Sequence, residues 1–403
     1  MAKRILIYTN HFYPEQFKIN EVVDWLSKED FHIRVISCIP NYPSGEFYKG
    51  YGIKSILDDF YQNNVLVNRM PLIPRGNGNF IIRFFNYLSY FLSTFFFTIY
   101  LLIFVKKYDK ILVHHTSPIL IAIHPIFYGF FYKVERYLWD LDVWPDTLSA
   151  LGIIKSKNIL KLIESIVKYI YRFYDKILIS SKGFKGIIKN RFKGEIIYFP
   201  NWAESAIEKN IQNPKITTNI PSNEFIIMYT GNIGYAQNFE LLAKTIKYLK
   251  NKKIHWVFIG DGSFKQKFIK TLKSFNVYHK CKFINQVNVS EIPSYVYNSD
   301  ALFLSLKANN LFSKTVPAKL QSYMALGKPI IASISGEGAD LIKKSNSGIV
   351  ETNSNYIELA NSIDKFMSLD NSKIKSIGNN GRQFYEKNFH SELRKNQILN
   401  LFK

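Results

Sequence analysis

The sequence predicts an α/β protein of two doubly wound parallel-sheet halves, and three observations lead there. First, short β-branched runs recur along the whole chain: RILIYT, FHIRVIS, NVLVNRM, KILVHHT, KILISS, EIIYFP, FIIMYTG, HWVFIG, DALFLSL and PIIAS. Their near-continuous apolar character is that of strands covered on both faces. Second, stretches of helical periodicity lie between them, at 19–26, 160–172, 239–249 and 315–326. Strand alternating with helix is the pattern of parallel sheets joined by crossover helices. Third, 403 residues with 47% hydrophobic content exceed what one core usually organises.

Taken in order, the apolar run 5–8 is too short for a secretory signal and reads as the first buried strand. The segment 84–105, FFNYLSYFLSTFFFTIYLLIFV, is uncharged and flanked by Arg83, Lys106 and Lys107. At about 1.5 Å per residue it is long enough to span a bilayer. However, Asn86, Ser89 and Ser93 recur within it at helical spacing, and it lies between NVLVNRM and KILVHHT. A parallel sheet requires a crossover helix at that place. The reading is a crossover helix with an apolar outer face at the headgroup level of a membrane; a wholly buried core helix is the alternative. The polar stretch 203–224 interrupts the alternation and is the linker candidate. It divides the chain into residues 1–203 and 204–383, two Rossmann-like halves facing one another across a cleft at their strand C-termini.

Charge and cysteine usage bound the partners. Lys plus Arg number 53 against 31 for Asp plus Glu, a net +22. That balance favours phosphates, acidic lipid surfaces or nucleic acid. The lysines are scattered and no nucleic-acid-binding module is present, which argues against the last. Two cysteines, Cys38 and Cys281, lie far apart, which excludes a disulfide scaffold and suits a reducing cytoplasm.

Chemistry concentrates after the strands. In FSKTVPAKLQSYMALGKPII (312–331), Pro317 suits the first turn of a helix, and Gly327 and Pro329 end it. The amides from Thr315 through Val316 to Lys319 would then seat a diphosphate at a positive helix end, with Lys314 and Lys319 beside it. Gly231 and Gly234, in YTGNIG, and Gly260 and Gly262, in FIGDG, each follow a strand and allow close backbone approach to a ligand. In the first half, His114 and His115 stand at the end of the strand KILV, and Asp142 belongs to an acidic cluster with Asp140 and Asp146 after a further strand, RYLW. A histidine suits proton relay near neutrality, whereas Asp140 and Asp142 could alternatively hold a divalent ion. Asn10, His11, Phe12 and Lys18 follow the first strand, and Asn41 and Tyr42 follow the second. Aromatic faces there could stack on a ligand, and Lys18 could meet phosphate.

The order EQFKINEV, PNYPSGEFYKGYG, LDVWPDTL, YFPNW, YTGNIG, VFIGDG and KTVPAKLQSYMALGKPII resembles family 4 glycosyltransferases of GT-B fold. The resemblance covers nearly the whole chain and is nearest the bacterial capsule and O-antigen enzymes of L-fucosamine transferase type. It implies donor binding in the second half, acceptor binding in the first, and retaining transfer without a metal or other cofactor. The expected donor is a UDP sugar and the expected acceptor a lipid-linked saccharide. The expected place is the cytoplasmic side of the cell membrane, peripherally bound, with no nucleic-acid partner. It also implies that a final helix, about 384–403, packs back on the first half. Other branches place a histidine against the donor sugar, which falls here on His115, and Asp142 is favoured as an acceptor-site residue or base.

This chain departs from the wider pattern at four points. The family's two glutamates fall on Lys314 and Ser322, and its donor-loop arginine and lysine fall on Asn232 and Asn238. Lys314 and Lys319 would then supply the missing charge around the leaving diphosphate. An epimerase on the same fold, or a basic membrane- or nucleic-acid-binding protein, is the alternative.

Overall fold

The computed structural model describes residues 3–52, 59–62, 64–76, 80–209 and 223–403. Most of the linker candidate, residues 210–222, lies outside the described residues. The chain divides into two compact units. Unit 1 comprises the described residues of Met1–Ser180, Phe184–Phe199 and Lys395–Lys403, and unit 2 those of Ser181–Gly183 and Pro200–Arg394. The division thus falls at Phe199/Pro200, a few residues before the position read from the sequence.

Unit 1 holds β1 (Lys3–Thr9), β2 (Phe31–Cys38), β3 (Asp59–Tyr61), β4 (Val65–Met70), β5 (Lys110–His115), β6 (Glu135–Asp140), β7 (Lys176–Ile179) and β8 (Glu195–Tyr198). Their order is β3-β4-β2-β1-β5-β6-β7-β8. All pairs are parallel except β3 with β4, an exception to the expected all-parallel sheet. Unit 2 holds β9 (Phe225–Thr230), β10 (Ile254–Ile259), β11 (Cys281–Ile284), β12 (Ala301–Ser305), β13 (Ile330–Ser333) and β14 (Gly348–Glu351). Their order is β11-β10-β9-β12-β13-β14. In each sheet the order reverses beside the first strand, at β1/β5 and at β9/β12. Such switch points leave a crevice beyond the strand C-termini.

The near-continuous apolar runs follow from burial on both faces. In β9, Ile227 and Tyr229 join one core cluster and Ile226 and Met228 the other; Trp256 and Phe258 of β10 alternate likewise with Val257 and Ile259. The strands absent from the sequence reading, β3, β11 and β14, are short, and β3 and β14 are nowhere fully buried. Short or half-covered strands carry a weak apolar signal.

The segment 84–105 lies in a helix, Phe80–Phe104, that connects β4 to β5. It is the described helix long and apolar enough to cross a membrane, and 22% of its apolar window is buried. The alternative of a wholly buried core helix is therefore overturned. Its buried stripe is Asn86, Tyr90, Thr94, Thr98 and Leu101. At the C-terminus, a helix at Asn371–Asn388 is followed by one at Ser391–Phe402. Lys395–Lys403 cluster with unit 1, whereas residues 384–394 cluster with unit 2. The anchoring contacts are Gln397 Nε2 donating to the Tyr198 carbonyl (2.7 Å) and Phe402 packed on Tyr137 at 5.3 Å.

Candidate functional site

In unit 2, β9 and β10 run into two glycine turns that share one floor. Gly231 has φ +108°, Gly260 +134° and Gly262 +155°, backbone regions that favour glycine. The turns bond to each other: Gly231 N–H donates to the Ile259 carbonyl and Ile233 N–H to the Asp261 carbonyl, both at 2.8 Å. There is no room for a side chain between them. A Cβ on Gly260 would lie 2.3 Å from the Gly231 oxygen, and one on Gly262 would lie 2.4 Å from the Ile233 oxygen. On Gly231 it would lie 2.8 Å from Lys319 Cε, so the bare glycine makes space for that lysine.

Lys319 comes from the helix Ala318–Ala325, which follows β12 across the switch point. Its ammonium sits over the Tyr229 ring, 3.9 Å from the centroid, and donates to the Tyr229 hydroxyl and to the Asn232 carbonyl (3.4 Å). The Tyr229 hydroxyl donates in turn to the Asn232 carbonyl. Among the described residues no carboxylate pairs with it. Loss of water around it lowers the ammonium from 10.5 to about 7. A cation held without a counter-charge over a glycine floor is a seat for an anion. Gly234 N–H is bonded by Gln237 Oε1 at 3.0 Å, and Asn238, with φ +50°, starts the next helix.

The approach to that helix differs from the sequence reading. Pro317 is the N-cap, with φ −60° and ψ 132°, so the helix begins at Ala318 rather than at Thr315. Thr315 N–H is taken by the Phe312 carbonyl (3.2 Å) and Val316 N–H by Ser181 Oγ (2.7 Å). These two amides are therefore engaged internally, and of the expected row only Ala318 and Lys319 keep amides without a recorded partner. Lys314 lies against Gly183, whose Cβ would fall 2.7 Å from the Lys314 carbonyl oxygen. Ser322 Oγ donates to Glu204 Oε2 at 3.1 Å. Glu337 accepts from Lys182 N–H (2.9 Å) and Gly183 N–H (2.5 Å).

In unit 1, strand register assembles the polar cluster. Thr9 is opposite His114, and His115 is opposite Asp140. Adjacent residues on a strand face opposite ways, so the two histidines serve different faces. His114 Nδ1 meets Thr9 Oγ1 at 2.9 Å, and burial lowers the ring to about 3, so it is neutral. His115 Nδ1 meets Asp140 Oδ1 at 2.8 Å, with both side chains fully buried. Burial alone would raise the Asp140 carboxyl, but His115, the Tyr171 hydroxyl and the Val143 N–H outweigh it and the net shift is downward. A carboxylate on Nδ1 fixes the proton there and leaves Nε2 as the available lone pair. That Nε2 is buried without a hydrogen-bond partner among the described residues.

Asp142 lies beyond the end of β6 and takes different partners. It accepts from Ser117 Oγ, which in turn accepts from the Trp144 indole (2.9 Å), and burial raises its carboxyl. Asp140 and Asp142, which their spacing offered as an oxygen pair, are thus held by different partners.

The loops after β1 and β2 are tied together by Glu15, which is 1% exposed. It accepts from Asn41 N–H (2.8 Å), Tyr42 N–H (2.6 Å) and His11 Nδ1 (2.8 Å). His11 stacks on Phe17 at 4.5 Å and tilts against Tyr42. His11, Glu15 and Cys38 place ligand-type atoms within 4.8 Å of one another. However, Glu15 already accepts three hydrogen bonds, and the Cys38 thiol donates to the Asn10 carbonyl (2.7 Å) and is kept protonated by burial. Buried Asn10 Oδ1 and Asn41 Oδ1 have no hydrogen-bond partner among the described residues. Phe12 is in the core against Tyr61, and Lys18 pairs with Glu21.

Residues 210–384 match the family described as Glycosyl transferases group 1. The chain carries a glycosyltransferase group 1 domain. It is 24% identical over 332 residues to WbjE of Pseudomonas aeruginosa, whose name is that of a glycosyltransferase, covering 78% of this chain and 79% of that one. It is 22% identical to WcaI of Escherichia coli (strain K12), whose name places it in colanic acid biosynthesis, covering 80% and 81%. Among solved structures, sucrose-phosphate synthase from Thermosynechococcus elongatus superposes with a TM-score of 0.73 at 13% identity, covering 100% of this chain and 98% of that one. HepE of Anabaena, in complex with UDP and glucose, superposes with a TM-score of 0.66 at 14% identity, covering 100% and 99%. The fold is GT-B, and the enzyme is a glycosyltransferase.

The glycine floor and Lys319 lie inside the matched glycosyltransferase domain. Tyr229, which carries Lys319, and Glu204, which meets Ser322, were not singled out from the sequence. Tyr229 reads there as one more aromatic strand residue, and Glu204 sits in polar chain resembling a linker. Glu15 was visible as part of its loop, but its role as the tie between two loops depends on their proximity.

Proposed function

We propose that this glycosyltransferase moves a sugar from a UDP donor onto a lipid-linked saccharide of a surface polysaccharide, with retention and without a metal. The donor sugar we infer is an N-acetylated deoxysugar, as in the L-fucosamine transferases that the sequence resembles. The observation that carries the donor half is the unneutralised Lys319 ammonium above the floor of Gly231, Gly260 and Gly262. A diphosphate laid there meets a poorly hydrated cation that strengthens as leaving-group charge develops. The solved UDP complex of HepE supports UDP as the nucleotide. The name of WbjE supports glycosyl transfer, and that of WcaI, a transferase of colanic acid biosynthesis, supports polysaccharide assembly. Retention and metal independence rest on the sequence resemblance, with Lys319 and Lys314 as the cations that would do a metal's electrostatic work.

In unit 1 we assign His115 as the group that meets the reacting sugar, with Asp140 holding its Nδ1 proton. Asp142, Asn10, His11, Asn41 and Tyr42 are assigned to the acceptor. The place of action we infer is the cytoplasmic surface of the membrane, where a lipid-linked acceptor would be met. Calorimetric titration with UDP, GDP, ADP and CMP, with and without magnesium, tests the donor reading. Selective, magnesium-independent binding of UDP is expected. Folded protein that binds none of them at millimolar concentration refutes it.

A further inference from the structure

We propose that unit 1 docks on an anionic lipid bilayer through one face built by three helices, Phe80–Phe104, His124–Phe131 and Lys157–Tyr171. The first helix is inverted relative to an ordinary surface helix. Its uncharged polar residues point inward: Asn86 Nδ2 donates to the Ile73 carbonyl (2.6 Å), the Tyr90 hydroxyl to the Thr9 carbonyl (2.9 Å) and Ser93 Oγ to the Pro71 carbonyl (2.8 Å). Apart from Arg83 near its start, a cation suited to an anionic surface, its outward face is dominated by apolar residues, with Phe96 66% and Phe104 71% exposed. A soluble surface helix does the reverse, because water favours the polar face outside. The inward hydrogen bonds also hold the helix to the sheet, so it lies against a membrane rather than crossing one.

The second helix continues the same surface: Phe127 packs on Phe95 at 5.1 Å, and Phe130 packs on Phe173 at 5.9 Å. The third helix has one apolar arc, only part of which faces the core. Val167, Ile170 and Tyr171 are buried, whereas Ile159, Leu162, Ile166 and Tyr169 are exposed at spacings of three and four residues. Lys157, Lys161 and Lys168 occupy the opposite arc and are exposed. An apolar arc with lysines on the opposite, polar arc is the pattern of a helix lying in the headgroup plane.

Charge selects the occupant. Across 80–107, 119–133 and 152–172 the one acidic residue is Glu164, and it is bonded to Arg191. Two copies of such a face would oppose cation to cation, so a self-complementary dimer is disfavoured and an anionic surface is favoured. The surface needs neither nucleotide nor sugar, and it rests on the glycosyltransferase reading only for its purpose, to bring unit 1 to a lipid-linked acceptor.

Co-sedimentation of the full chain with phosphatidylcholine vesicles, with and without phosphatidylglycerol, tests this. Binding is expected only with phosphatidylglycerol, and salt should reverse it. Lys157→Glu, Lys161→Glu and Lys168→Glu together should weaken it about a hundredfold, taking about fivefold per basic residue near an anionic surface. Leu162→Asp with Ile166→Asp should abolish it while the melting temperature and UDP affinity stay unchanged, since both side chains are exposed. If that pair disturbs folding, Phe96→Ser with Phe104→Ser replaces it. Absence of vesicle binding overturns the proposal, as does binding that none of these variants alters. A lipid-free dimer that the Leu162 and Ile166 variant dissolves also overturns it. The vesicles hold no acceptor and no donor, so these outcomes are independent of the nucleotide titration.

Discussion

A nucleotide sugar should bind this protein with uptake of nearly one proton at pH 8, and Lys319 should be its carrier. In the free protein the ammonium is lowered to about 7 by loss of water, and its partners among the described residues are a tyrosine ring, a hydroxyl and a carbonyl. A diphosphate beside it restores the charged form toward its ordinary value of 10.5. At pH 8 the free lysine is then about nine-tenths neutral and the bound one charged, so about 0.9 proton is taken up. By the same linkage, affinity should fall about tenfold per pH unit between roughly pH 7 and 10. Fold stability should move the other way. Between 7 and 10.5 the unfolded chain holds a proton at this lysine that the folded chain does not, so this group's contribution to stability rises with pH. Opposite trends separate a binding effect from unfolding. The assay is calorimetry at pH 8 in two buffers of different ionisation enthalpy, using a nucleotide sugar because its diphosphate diester does not itself titrate there. Lys319→Met should abolish the buffer dependence and the pH slope. Tight binding with the same enthalpy in both buffers would refute the reasoning.

Three further outcomes follow from the geometry. Gly260→Ala places a Cβ 2.3 Å from the Gly231 oxygen at φ +134°, and should destabilise unit 2 by about 3 kcal/mol, read by chemical denaturation. Gly231→Ala meets the movable Lys319 side chain instead; it should cost about 1 kcal/mol of stability but weaken nucleotide binding about tenfold, measured by titration. Asp140→Ala strips a fully buried carboxylate from His115 and Tyr171. It should destabilise unit 1 by about 3–5 kcal/mol and lower turnover beyond what the loss of folded protein explains. Turnover unchanged per folded molecule would remove Asp140 from the positioning of His115.

Much of the architecture was legible because it is written locally. A parallel strand covered on both faces must be apolar at nearly every position, so β1, β2, β5, β9 and β12 announce themselves in single runs. The glycine turns were visible as well, since a tight turn after a strand calls for glycine. The helix start after Lys314 was misread because proline's φ fits both an N-cap and a first turn; tertiary contacts of Ser181 with Val316 decide between them. Glu204 and Tyr229 gave no signal, because neither chemistry nor spacing distinguishes them until the chain folds.

The sequence by itself determined the α/β class, the division into two units, the glycine turns and the apolar character of residues 84–105. Only the tertiary structure decided that His115 stands opposite Asp140, that Lys319 lies over Gly231, and that the Phe80–Phe104 helix turns its polar stripe inward. The first group depends on what neighbouring residues bury. The second depends on strand register and helix rotation, set by pairings between residues tens of positions apart that no local pattern encodes.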